Sequence, residues 1–253
     1  MRIRTWTYGA ILAAMCWPRD ANAATQERFI SDCAGPVKLA HAQAVGVAQD
    51  GTLNLRDGRN LVLEGIRLPL EDGGSREQAL AALRAMTSVP VNFTAPAPQS
   101  DRYGRMRVQG FGREWLQVAL LEQGLARVMI APDRNECAPD LYEAEARARN
   151  RHAGLWARPA YQPRAPKDAA AGSFQLVEGR VANVARTDGQ TVILFDGHAA
   201  FAAVIAAGDS RAFRNFDFDE LSGRNIRVRG VVQAYHGRLR IALSSPSQIE
   251  LLE

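Results

Sequence analysis

Apolar and polar positions alternate most clearly around Asp57-Gly58, where Leu53, Leu55, Leu61 and Leu63 recur at period two on either side of the turn. A period of two sends successive side chains to opposite faces, so this segment is predicted as a β-hairpin closed by a tight turn. The period then lengthens. Ser75 is placed to cap a helix whose Ala79, Leu80, Leu83 and Met86 form one apolar stripe. Strands are predicted over 89–93 and 106–109. A helix over 114–123 is stopped by Gly124, and a further helix over 140–153 is opened by Pro139 and stopped by Gly154. In that last helix Asp140, Glu143 and Glu145 come early and Arg147, Arg149 and Arg151 late, which is the order the helix dipole favours.

A second block of alternation gives strands over 175–185, 191–195 and 201–205, a helical stretch over 209–221, and strands over 225–233 and 238–243. Five strands with a helix after the third is the element order of an OB-fold, a small partly open barrel. Between the blocks, residues 157–172 hold Pro159, Pro163 and Pro166, many alanines, and Tyr161 as the one large apolar side chain, a linker composition. The expected domains are therefore 24–157 and 173–253, joined by a Pro/Ala-rich linker over 158–172.

Composition and charge narrow the class. The chain has 253 residues, 47% of them hydrophobic and 23% charged, which excludes collagen-like and wholly disordered proteins. No apolar run approaches the ~20 residues that span a bilayer, so no membrane span is expected. Arg2 and Arg4, the apolar stretch 9–17 and Ala21-Asn22-Ala23 have the order of a secretory signal over 1–23, placing the protein in a periplasm or outside the cell. Loss of Arg2, Arg4, Arg19 and Asp20 with that segment lowers the formal surplus from +4 to +2, so whole-chain charge says little about partners. Cys16 leaves with the signal. Cys33 and Cys137 are then an even pair in an exported chain, for which a disulfide is expected. His41, His152, His198 and His236 stand alone and no Cys-x-x-Cys occurs, so no metal ligand set is predicted.

Three stretches resemble one family. The run 52–59, continuing through Leu63-Glu64-Gly65-Ile66 to Pro69, resembles the opening hairpin of the staphylococcal-nuclease (thermonuclease) family. Asp101-Arg102-Tyr103-Gly104-Arg105 is similar to its Asp-x-Tyr-Gly-Arg block. Residues 119–127, then Glu143-Ala144-Glu145-Ala146 and Gly154-Leu155-Trp156, are similar to its closing helices. The resemblance implies an α+β fold: a five-stranded OB barrel with three helices, here followed by a second, smaller OB-like barrel. It also implies calcium-dependent hydrolysis of DNA and RNA, in which a hard cation takes carboxylate oxygens and two arginines neutralise the phosphate.

Most of the implied parts are replaced. Gly51 stands where the family has a metal-binding aspartate, Val62 where it has an arginine, Arg67 where it has another metal-ligand aspartate, and Leu70 where it has the general-base glutamate. Arg105 alone stays in register. Asp50 and Glu71 lie one position from lost carboxylates, so no cofactor is expected unless calcium is held by a site rebuilt from them. In the second domain Arg227, Arg229, Arg238 and Arg240 share one strand parity, with Tyr235 at the intervening turn. A basic barrel face beside an aromatic suits single-stranded nucleic acid, and the same pattern also suits an ordinary solvated sheet face. The sequence therefore points to an exported, catalytically impaired nuclease-like module with single-stranded nucleic acid or an envelope protein as partner. The alternative is a divergent metal-dependent secreted or periplasmic nuclease.

Overall fold

In the computed structural model, residues 33–132 and 134–252 are described. The expected signal segment lies outside them. The first barrel is built from β1 (Val37–Lys38), β2 (Ala44–Val47), β3 (Leu53–Leu55), β4 (Asn60–Leu63), β6 (Asn92–Ala95) and β7 (Arg105–Phe111). Their order is β1-β6-β7-β4-β3-β2, with β4 and β7 parallel. Because β1 and β2 follow one another in the chain yet occupy the two ends of this order, they bring the ends together. A two-stranded ribbon, β5 (Gly65–Arg67) with β8 (Arg127–Met129), stands beside it. Helices α1 (Gly73–Thr87), α2 (Leu116–Glu122) and α3 (Ala138–Asn150) complete this half.

The second barrel comprises β9 (Phe174–Thr187), β10 (Gln190–Phe195), β11 (Phe201–Ile205), β12 (Asn225–Tyr235) and β13 (Arg238–Ala242). The chain of neighbours β13-β11-β10-β9-β12 closes through direct β12–β13 pairing, with β11 and β13 parallel. With β1 and β2 counted as two halves of one first strand, both barrels pair their third and fifth strands in parallel, the OB order. The final strand, β14 (Ile249–Leu252), adds to β12 and was not anticipated, since it is a four-residue element at the end of the chain.

Local differences have local causes. The first helix begins after Asp72, whose carboxylate accepts the Ser75 hydroxyl at 2.5 Å, so Ser75 lies inside the helix rather than capping it. The strand expected over 89–93 runs instead over Asn92–Ala95, where it meets β1 and β7. The helical stretch over 209–221 resolves into two 3-10 segments, Ala207–Phe213 and Asp219–Leu221. Between them Phe213, Phe216 and Phe218 pack on one another, with ring centroids 5.0–6.0 Å apart, and this cluster takes the place of a helical stripe. Gly124 and Gly154, expected as helix stops, also allow two chain segments to cross. Both have positive φ, and a Cβ at Gly124 would lie 2.1 Å from the Ala153 carbonyl oxygen.

Residues 158–172 are not an open tether. Tyr161 is buried with Leu155, Trp156, Phe174 and Leu176 in a small apolar cluster between the barrels, and Arg164 bridges in parallel to Val177. The aromatic anchors at Trp156 and Tyr161 outweigh the Pro/Ala composition, because a buried ring removes far more apolar area from water than an alanine.

Charge joins the barrels as well. Arg229 of β12 is 1% exposed and donates to both carboxylate oxygens of Glu145 on α3, at 3.2 and 2.9 Å, and to the Val128 carbonyl at 3.1 Å. It also pairs with Glu250 and lies over the Tyr142 ring at 4.4 Å. Burial opposes its charge, but Glu145, Tyr142 and Glu250 together hold the guanidinium above its usual value. Burial likewise pushes the Tyr142 phenol up to about 12. Glu250 is opposed by burial and stabilised by Arg229 and Arg227, leaving its carboxyl below the usual 4.5.

Two outcomes follow. Replacing Arg229 with Met removes the bidentate partner of Glu145, leaving it Arg149 at 3.7 Å and leaving Glu250 only Arg227, and should lower stability by about 3–5 kcal/mol in urea unfolding at neutral pH. Because the folded Glu250 pKa is depressed, its contribution is present above 4.5 and is lost as pH falls through the folded value, so the gap between variant and wild type should narrow below pH 4.5. A gap unchanged down to about pH 3 would exclude this linkage. The Cys33–Cys137 disulfide closes a separation of 104 residues, and its reduction should cost about 4–5 kcal/mol in the same assay.

Candidate nucleic-acid interface

The loop before β7 positions Arg105. One oxygen of Asp101 accepts the backbone N–H of Tyr103 at 2.8 Å and of Arg105 at 2.9 Å, while Gly104, at φ 75°, turns the chain between them. The other oxygen accepts the Arg105 side chain from Nε at 3.1 Å and from Nη2 at 2.9 Å. Arg105 reaches Asp50 at 3.5 Å and lies 5.0 Å from the Tyr103 ring, which is 63% exposed. Burial disfavours charge on Asp50 and Asp101, yet hydrogen bonds from backbone N–H groups and the nearby Arg105 hold both carboxyls below their ordinary value.

Around it, the residues at the positions where the resemblance implies metal ligands, an arginine and a general base make other contacts. Gly51 has φ 82°, and a Cβ there would lie 2.5 Å from Leu68 Cδ1, so Leu68 fills the space a carboxylate would need. Val62 is half-buried on β4, in register with Arg107. Arg67 lies 3.8 Å from Glu71 and over the ring of Phe174, the first residue of β9, at 5.7 Å. Glu71 also pairs with buried Arg127, which donates to the Phe174 carbonyl at 2.8 Å and sits 4.9 Å from its ring. Burial pulls Arg127 below its usual value, and Glu71 opposes that shift. Leu70 is half-buried beside this group.

Asp50 and Glu71 are therefore committed to different arginines. Among the described residues no group of three or more His, Cys, Asp or Glu side chains is gathered that could hold a metal ion. The arrangement lacks the clustered oxygen donors that a hard cation requires.

The second barrel divides the four arginines that share a parity. Arg227 is 8% exposed and bonded to Glu178 at 2.6 Å and Glu250 at 2.9 Å, and Arg229 is buried as described. The expectation of one open face carrying all four is corrected here. The parity is right, but Glu178 of β9 and Glu250 of β14 cover Arg227, and Glu145 of α3 covers Arg229. Arg238 and Arg240 lie beyond them, with Arg240 stacked 3.7 Å from the centroid of the Tyr235 ring and Tyr235 49% exposed.

Between the barrels lies a cleft of about 520 Å³. Val62, Arg105 and Arg107 form one wall, Val231 and Gln233 the other, and Met129 lies at its edge. Arg107 bonds Glu64 at 2.9 Å, and Glu64 is almost fully buried. Sequence pattern missed this cleft, since Arg107, Met129, Val231 and Gln233 come from three distant strands. The one available signal was Glu64, an acid in an apolar hairpin.

Residues 77–158 match the family described as Staphylococcal nuclease homologue. This chain carries a staphylococcal-nuclease-like domain. The match includes the 101–105 loop and Arg105, and begins after Gly51, Val62, Arg67 and Leu70. Comparison with curated proteins finds no match to the chain. With its barrel and helices, the nuclease-like domain is followed by a second OB-type barrel. No helix among the described residues is long and apolar enough to cross a membrane. In the nuclease-like domain, replacing Glu71 with Ala should lower stability by about 1–3 kcal/mol, because Arg127 is left buried without its carboxylate. Urea unfolding checks this, and a change within error would show that the Phe174 carbonyl and the rings suffice for Arg127.

Proposed function

We propose that this protein is an exported nuclease-fold module that binds nucleic acid without hydrolysing it. The observation that carries the reading is the Arg67–Glu71–Arg127 group beneath Phe174. At the positions where the resemblance implies a calcium ligand and a general base, a permanent cation faces the second barrel and the neighbouring carboxylate neutralises a buried arginine. A guanidinium at a cation site repels the ion, and a carboxylate already paired with two arginines is engaged in the fold. Arg105 beside exposed Tyr103, and Arg240 stacked on Tyr235, instead support phosphate neutralisation and base stacking, which need no metal. Export is supported by the order of residues 1–23 and by the Cys33–Cys137 bridge, which suits an oxidising compartment.

The test is incubation of labelled single-stranded DNA and RNA with the chain from Ala24, in calcium, manganese, magnesium or chelator, beside an Arg105→Ala variant. Intact substrate in every lane is expected, together with binding that weakens as salt rises. Metal-dependent cutting abolished by both chelator and Arg105→Ala would overturn the proposal and establish the divergent nuclease.

A further inference from the structure

Alternate residues of β12 and β13 face the same way. Val231, Gln233 and Tyr235 lie on one strand and Arg238, Arg240 and Ala242 on the other, with Gln233 opposite Arg240 and Tyr235 opposite Arg238. The first part of this face, Val231, Gln233 and Ala242, lines the interbarrel cleft, across from Arg105 and Arg107 of the nuclease-like domain. The remainder runs out of the cleft to the hairpin turn. One surface thus begins between the barrels and ends at Tyr235 without changing strands.

Its chemistry is uneven in a specific way. Cations stand at both ends. Arg105 and Arg107 keep 25% and 38% of their side chains exposed while held by Asp101 and Glu64, and among the described residues Arg238 and Arg240 form no ion pair. Between and beside them are apolar groups open to solvent: Met129 is 44% exposed, Val231 41% and Tyr235 49%. Among the described residues six large apolar or aromatic side chains are exposed, and these three lie along one route between two pairs of arginines.

We propose, resting on the nucleic-acid reading above, that the cleft and the β12–β13 hairpin form one continuous binding track for single-stranded nucleic acid, spanning both barrels. Phosphates meet Arg105 and Arg107 at one end and Arg238 and Arg240 at the other. Bases pack on Met129 and Val231 and stack on Tyr235. A duplex keeps its base faces stacked internally and offers nothing to these apolar groups, so the track selects single strands. The interbarrel ion pairs hold the two halves of the track in fixed relation, so a short oligonucleotide occupies one end while a longer one engages both.

The experiment is fluorescence anisotropy of labelled oligothymidylates of 4 and 20 nucleotides, and of a 20-base-pair duplex, with the chain from Ala24. Wild type should prefer the 20-mer single strand to both other probes. Tyr235→Ala should weaken the 20-mer about tenfold through lost stacking. The double substitution Arg238→Ala/Arg240→Ala should reduce the slope of log affinity against log salt by about 1.4 for two lost phosphate contacts. Val231→Asp, at an exposed position in the middle of the route, should weaken the 20-mer far more than the 4-mer. All four sites are at least partly exposed, and circular dichroism verifies folding of each variant. If wild type binds the 20-mer but Tyr235→Ala, the double variant and Val231→Asp bind it unchanged, the track is overturned while nucleic-acid binding stands. Tighter binding of the duplex likewise overturns it. If wild type binds no probe, the nucleic-acid reading fails and the track with it, leaving the apolar wall to a protein partner.

Discussion

Much of this molecule depends on a single buried guanidinium. Arg229 and Glu145 are each 1% exposed, and each would be strongly disfavoured in the interior without the other. Their contact is bidentate, which satisfies the geometry of both groups at once. Glu145 also accepts the Val128 N–H at 2.7 Å while Arg229 donates to the Val128 carbonyl, so α3, β8 and β12 are held by the same few atoms. Glu250 extends the cluster to β14 and, through Arg227, to β9. Separating the barrels would strand charges on both sides, so the interface resists sliding in a way that apolar packing alone does not.

That constraint shapes what is left of the nuclease-like face. With the second barrel held against it, Phe174 is brought to the positions where the resemblance implies metal chemistry. Arg67 and Arg127 then have a ring and a carbonyl to meet, and Glu71 has two cations to neutralise. Arg67 and the second barrel's Phe174 thus belong to one arrangement. Arg105 escapes because Asp101 braces it on the far side of the cleft, with Tyr103 beside it.

Between these regions the cleft combines walls that neither domain has alone. Its part-exposed arginines, Arg105 and Arg107, come from β7, and its apolar rim from β8 and β12. Tyr142 and Ser247 bond across the interface, as do Asn135 and Ser245, so the cleft edge toward the disulfide is also held. The Cys33–Cys137 bridge, with Arg134 donating to the Cys33 carbonyl at 2.7 Å and lying 3.8 Å from Glu64, fastens the start of the described chain to the same corner.

Local pattern alone determined the barrel-and-helix order of both halves, the cysteine pair and the turn at Asp57-Gly58. Each of these is written in neighbouring positions or in residue identity, and alternation reports faithfully which residues share a face. What covers a face is a different matter, because parity is a property of one strand and burial is a property of two packed surfaces. The four arginines of β12 and β13 show the distinction. Their common side was legible, but only the folded molecule buried Arg227 between Glu178 and Glu250 and Arg229 against α3, leaving Arg238 exposed and Arg240 half-buried over Tyr235. The same limit hid the packed course of residues 158–172 and the pairing of Glu71 with Arg127, separated by 56 positions. Ion pairs and clefts assembled from distant strands depend on how the barrels dock, and no local period encodes that docking.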